Sequence, residues 1–312
     1  MGENISIVQT FDWRDLASSA EFARWTEAKL RAAEELVSLA PMALGNLAAP
    51  QKEQLDALLR RLMLHNFAYF RAPDSARSVD AVSHDLIEFA TAFGLRRMED
   101  HRSAGADGVV ALRTSAAETQ RGYIPYTPKP LNWHTDGYYN GPGARVNAFV
   151  LHCVRPAAAG GENCIIDPEI AYLRLRQENP EFIRALMHPE AMTIPENREA
   201  NGMLRPASVG PVFYPDPVTG RLQMRYTART RSIAWRDDPL TLKAADWLRS
   251  WLAAGDPCMM TVLLAPGDGI LNNNVLHNRT AFEDGPDPSQ SRLILRVRFH
   301  NRVAEARHGA AQ

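Results

Sequence analysis

The chain has 312 residues, 45% of them hydrophobic, with 35 basic and 36 acidic side chains and a formal net charge of -1. That balance, a pI of about 6.8 and the lack of a basic stripe argue against nucleic acid or an anionic membrane surface as partner. No apolar stretch approaches the ~20 residues of a membrane-spanning helix, and the opening segment has neither the basic nor the apolar region of an export signal.

In chain order, residues 19–39 repeat apolar side chains at helical spacing through Phe22, Trp25, Leu30, Ala33 and Leu36. Residues 51–64 do the same through Leu55, Leu58, Leu59 and Leu62. Residues 66–71 read as a strand, and 79–93 as a helix stopped by Gly94. Beyond Gly105 the pattern changes to short strands separated by Gly, Pro and Asn clusters, which predicts an antiparallel β architecture. Asp167-Pro168, Asn179-Pro180 and Asp238-Pro239 each set a capping residue before a proline at the first helical position, so helices start there among the strands. Residues 194–213 are rich in Pro, Gly and Asn without a period, as functional lids often are. The expectation is an α+β chain of one domain over 1–312. A helical N-terminal extension covers 1–65, and a β-core with inserted helices and a candidate lid at 194–213 covers 66–300.

Cys153, Cys164 and Cys258 form no CxxC pair and are odd in number, which predicts reduced thiols in a cytoplasmic protein. The chemistry sits elsewhere. His134-Thr135-Asp136 places an imidazole and a carboxylate two residues apart, so that on an extended strand both point to one face. A second imidazole, His277, follows Pro266-Gly267-Asp268-Gly269 and a run of apolar and Asn residues. Two histidines and one carboxylate form the facial triad that holds non-haem Fe(II) with open positions. Close behind, residues 291–299 alternate strictly: Leu293, Leu295, Val297 and Phe299 on one face, Arg292, Ile294, Arg296 and Arg298 on the other. Three arginines on one strand face are costly to bury unless they meet anions, and the planar guanidinium suits a carboxylate.

These segments resemble the taurine dioxygenase-like (TauD/TfdA-type) family of Fe(II)- and 2-oxoglutarate-dependent oxygenases. The likeness rests on Asn-Trp-His-Thr-Asp-Gly at 132–137, Gly-Gly-Glu-Asn-Cys at 160–164, and the closing stretch from Gly267 through Arg296, and it covers about residues 66–299. The resemblance implies a double-stranded β-helix, jelly-roll-like, with flanking helices. It implies iron held by His134, Asp136 and His277, with O2 as oxidant, and Arg292 on the distal carboxylate of 2-oxoglutarate. Arg296, farther along the same face, would contact the cosubstrate or an acidic substrate group. Two positions depart from the family pattern: Asn163 stands where a threonine is usual, its amide still able to donate, and Asn273-Asn274 replaces Asp-Asn.

The residues next to the ligands, Asn132 and Tyr138, and Arg225 after the lid are candidates for substrate contact, together with Arg296. The expected substrate is a small acidic or zwitterionic molecule, hydroxylated or oxidatively cleaved with release of succinate and CO2. Two other readings fit the same triad: a non-catalytic barrel that binds a small acid, and a zinc hydrolase. The amphipathic N-terminal helices offer a surface for a homo-oligomer contact.

Overall fold

The structure, a computed structural model, describes residues 11–17, 19–36, 40–73, 77–100, 105, 107–115, 123–198, 204–229 and 233–303. Helix α1 spans Ala20–Leu36 and buries Trp25, Lys29, Ala32, Ala33 and Leu36; the end of its predicted range, 37–39, lies outside the described residues. Helix α2, Lys52–His65, opens on a reciprocal side-chain cap between Gln51 and Gln54 and closes at Asn66, which is left-handed at φ 60°. That left-handed residue turns the chain directly into strand Phe67–Arg71. Helix α3, Val79–Ala92, is capped by Ser78, whose side chain accepts from the Ala81 N–H.

The three Asx-Pro pairs start helices as expected: α4 (Pro168–Glu178), α5 (Pro180–Leu186) and α6 (Pro239–Ala254). In each, the Asp or Asn side chain accepts a backbone N–H of the first turn, at 2.8, 3.0 and 2.9 Å.

Two sheets carry the architecture. A six-stranded sheet runs in the order Met42–Ala43, Phe67–Arg71, Asp268–Asn272, Ala148–Arg155, Leu293–Phe299, Val110–Leu112. A four-stranded antiparallel sheet runs Met260–Val262, Asn163–Ile166, Leu276–Arg279, Leu131–His134. The first 65 residues are not purely helical, since Met42–Ala43 pairs in parallel with Phe67–Arg71 and edges the larger sheet.

Alternation along Leu293–Phe299 sorts its side chains between two cores. Leu293, Leu295, Val297 and Phe299 pack with Leu86 and Phe89 of α3. Ile294 instead joins Phe149, Leu151 and Ile270 of its own sheet and Ile165 and Met260 of the smaller one. The two sheets therefore meet face to face, and whatever shares the face of Ile294 points between them. A third core gathers Trp13, Trp25, Tyr172, Phe213 and Leu248 beneath α1, α4 and α6.

The expected lid is built differently from a loop without period. Ser208–Gly210 pairs antiparallel with Met192–Ile194, and Leu204–Arg205 with Asn197–Arg198, while 199–203 lie outside the described residues. Strands of two or three residues are too short to leave an alternating signature.

Candidate metal centre and diacid pocket

His134 ends its strand, and His277 lies directly opposite it in the antiparallel pairing of Leu276–Arg279 with Leu131–His134. Their rings sit 4.2 Å apart, centroid to centroid. Asp136 completes the group, its Oδ1 3.6 Å from His134 Nε2. One ligand atom from each of the three residues lies within 4.8 Å of the others, and all three residues are buried. Sheet register thus brings together side chains that are far apart in the chain.

The reading of His134 and Asp136 as an i, i+2 pair on one strand needs correction. The strand stops at His134. Thr135 remains extended against Tyr226, whose carbonyl accepts its N–H at 3.0 Å, and Asp136 already belongs to a turn. Gly137 follows at φ 63°, where a Cβ would fall 2.6 Å from Val146 Cγ2. What fixes Asp136 is Asn274. Its Oδ1 accepts the Asp136 N–H at 2.7 Å, and its Nδ2 donates to the carbonyls of Asp136 and Val146 at 3.0 and 2.6 Å. Asn274 sits in the left-handed region at φ 56°, a conformation Asn tolerates better than most residues. In the sequence Asn274 stands out only as half of a departure from the family pattern.

Both imidazoles are set in the same way. His134 Nδ1 lies 2.9 Å from the Asn132 carbonyl and His277 Nδ1 3.0 Å from the Val275 carbonyl. A carbonyl can only accept, so each Nδ1 carries the proton and each Nε2 offers its lone pair to the centre. Burial, then the neighbouring His134, pushes the His277 pKa down to about 3, which keeps that ring neutral. Burial alone would raise the Asp136 pKa, but the Arg296 guanidinium beside it holds it well below the usual carboxylate range. Two imidazoles and an ionised carboxylate are the donor set that suits Fe(II).

Next to His277 lies a small cavity between the sheets, lined by Phe149, Leu151, Ile165, Ile270 and, as polar groups, Asn163, Asn272 and His277. Arg292 is buried at 5% exposure, with its guanidinium carbon 5.1 Å from the Phe282 ring centre. Its Nη1 finds no hydrogen-bond partner among the described residues. Burial pushes its pKa down to about 10. A buried guanidinium in this state is expensive unless an anion joins it, so the residues present fit a carboxylate held at Arg292. Arg296 differs: its Nη1 lies 3.1 Å from Asp136 Oδ2 and is already paired with the candidate ligand carboxylate.

The remaining predicted positions divide. Asn132 is exposed and gives the site its backbone carbonyl. Tyr138 is half-buried and stands edge-on to Tyr139 at 5.2 Å. Arg225 does not keep its expected place at a substrate. All its nitrogens are engaged: Nε with the Tyr138 carbonyl, Nη1 with Met192 and Gly210, Nη2 with the Ser208 carbonyl and hydroxyl, at 2.7–3.3 Å. The guanidinium ties the turn after Asp136 to the strands Met192–Ile194 and Ser208–Gly210 and has no donor left over.

Comparison with known proteins agrees with this arrangement. The family model of the taurine catabolism dioxygenase TauD, TfdA family matches residues 31–298. A uridine-5'-phosphate dioxygenase of an Amycolatopsis species is 32% identical over 162 residues, 50% of this chain and 56% of that protein. One of a Streptomyces species is 28% identical over 254 residues, 77% of this chain and 88% of that protein. Among solved structures, the non-heme iron oxygenase OrfP with Fe, succinate and (3S)-hydroxy-L-Arg superposes with a TM-score of 0.60 at 18% identity, covering 88% of this chain and 91% of that one. An asparagine oxygenase with Fe(II), hydroxyasparagine and succinate gives 0.54 at 14%, covering 88% and 90%. The profile match spans most of the chain, and the chain belongs to the taurine catabolism dioxygenase TauD, TfdA family of non-haem iron, 2-oxoglutarate-dependent dioxygenases.

Proposed function

We propose that this dioxygenase acts on a nucleoside 5'-phosphate, with uridine 5'-phosphate the first compound to test. His134, Asp136 and His277 would hold Fe(II), and Arg292 with Asn163 the distal carboxylate of 2-oxoglutarate. With both bound, the iron centre supplies the oxidation of a substrate C–H bond by O2, with release of succinate and CO2.

The chain's own contribution is position and dryness. The His134 and His277 rings are fixed through Nδ1, the Asp136 backbone by Asn274, and the apolar walls of the cavity exclude water. The observation that carries the reading is a buried Arg292, without a hydrogen bond at Nη1 among the described residues, in a chain that also gathers a three-ligand group. A zinc hydrolase would have no use for that guanidinium, and a diacid cosubstrate does.

The substrate class is supported by charge and by the relatives' names. Arg296 and Arg298 balance Asp136 and Glu99. A divalent metal then outweighs what Arg292 and a dianionic cosubstrate add, which leaves the site positive and favours an anionic substrate. We place the two facing sheets as the halves of a double-stranded β-helix within one domain, and the 194–213 segment as its lid. The half-buried thiol Cys164 and the buried Cys153 and Cys258 suit a reducing, cytoplasmic setting.

The test is direct. Anaerobic protein with Fe(II) and 2-oxoglutarate should develop a visible charge-transfer band, and uridine 5'-phosphate with O2 should release succinate. Asp136→Ala should lose both. A wild type with neither band nor succinate refutes the assignment.

A further inference from the structure

We propose that Arg298 recognises a phosphate monoester on the substrate, and that Glu99 holds its charge when no substrate is bound. The inference rests on the nucleotide reading above. Arg296 and Arg298 share the face of Ile294, which points between the sheets, and Arg292 immediately precedes the strand. Two of them have other work: Arg292 fits the cosubstrate, and Arg296 is paired with Asp136. Arg298 is the third, one strand repeat beyond Arg296, roughly 7 Å along the strand.

Its surroundings are those of a charge awaiting a better partner. Arg298 is 5% exposed. Its Nη2 is in ion-pair contact with Glu99 Oε2. Yet Nε, Nη2 and Glu99 Oε2 all lack a hydrogen bond among the described residues, so the pair is held by charge without the directional bonds that make buried pairs favourable. A phosphate, with three acceptor oxygens, satisfies a guanidinium fork that one misaligned carboxylate oxygen does not.

The pair is also fixed in place. The Glu99 N–H donates to the Arg298 carbonyl at 2.8 Å, and Glu99 Oε1 accepts from Asn140 Nδ2 at 2.7 Å. A second donor is at hand: the Tyr139 hydroxyl lies 3.4 Å from Arg298 Nη1, three residues after the ligand Asp136. Arg205, on the lid strand Leu204–Arg205, sits 5.7 Å over the Tyr139 ring. An anion at Arg298 would therefore be bounded by the metal-binding turn, the inner sheet face and the lid.

The test compares uridine 5'-phosphate with uridine on protein loaded with Fe(II) and 2-oxoglutarate without oxygen, by calorimetry, alongside succinate release in air. Wild type should bind the phosphorylated compound at least about tenfold more tightly, the worth of a charge-assisted hydrogen bond. Arg298→Gln should collapse that ratio towards one, and Arg298→Lys should recover part of it. Glu99→Gln should move the other way and tighten the nucleotide, because the competing carboxylate charge is gone. If the pair were merely structural, both variants would weaken binding together, and that result overturns the proposal. So does an unaltered ratio in Arg298→Gln, which leaves the dioxygenase reading standing. A wild type that binds the nucleotide through Arg298 but releases no succinate refutes the activity and keeps the site. A wild type that binds neither compound overturns both.

Discussion

Asn274 shows how much of a candidate metal site rests on a residue outside the ligand group. Its three hydrogen bonds hold the Asp136 backbone on both sides and anchor Val146, where the turn rejoins the sheet. Asn274→Asp should be nearly as damaging as Asn274→Ala, because a carboxylate can still accept the Asp136 N–H but repels the two carbonyls. The expected outcome for either is a loss of roughly 10- to 100-fold in Fe(II) affinity, as for other residues that orient ligands, with a weaker charge-transfer band at fixed iron. Metal titration followed by that band measures it, and wild-type affinity in Asn274→Asp would disprove the role. At this scale the sequence was informative about identity and silent about partnership. His134, Asp136 and His277 stand in recognisable company, whereas nothing local in Asn273-Asn274 says which of the two bonds to residue 136 and which, through its Oδ1, to the N–H of Val303.

Among the elements, α1 is attached to the core by a buried charge. Lys29 Nζ lies 2.5 Å from both Asp167 and Glu169, at the cap and first turn of α4, and donates to the Leu64 carbonyl at the end of α2. Arg221 adds a second cation to Glu169 at 3.2 Å. Burial works against both carboxylates, and Lys29 and Arg221 keep Glu169 ionised, its pKa depressed. Lys29→Ala should cost about 3–5 kcal/mol in denaturant unfolding, since it strands buried carboxylates; a loss below about 1 kcal/mol would contradict the network. Strand Ala148–Arg155 supplies a pH prediction. His152 is 5% exposed, stacked on Phe70, and burial pushes its pKa down to about 4. The unfolded chain binds the proton that the folded chain refuses, so stability is full above about pH 6.5 and is lost as pH falls towards 4. His152→Leu should make that slope shallower by up to about 1.4 kcal/mol per pH unit, read from unfolding curves across the range. The Asx-Pro helix starts were legible because cap chemistry is local. The short strand pairs between 192 and 210 were not, because two- and three-residue pairings depend on a partner several residues away.

For the molecule as a whole, the two-sheet arrangement turns cross-strand register into a candidate metal centre: His277 faces His134 across one ladder, and Arg292 is buried at the start of a strand of the other sheet. Ligand binding should then stabilise the entire fold by mass action. Metal at ~100 times its dissociation constant adds about 2.7 kcal/mol, raising the melting temperature of wild type, with a further rise on adding 2-oxoglutarate. Asp136→Ala should show no metal-dependent rise and Arg292→Ala no additional rise from the diacid; equal shifts in all three proteins would count against the shared centre. The sequence by itself determined the chemistry on offer, two imidazoles and a carboxylate with an alternating arginine strand, because ligand type and strand period are local properties of the chain. Only the tertiary structure decided that Arg292 leaves Nη1 without a hydrogen bond among the described residues, that Arg225 is committed mostly to carbonyls, and that Asn274 governs Asp136. Those pairings join residues many positions apart, and sheet register, a property of the whole fold, brings them together.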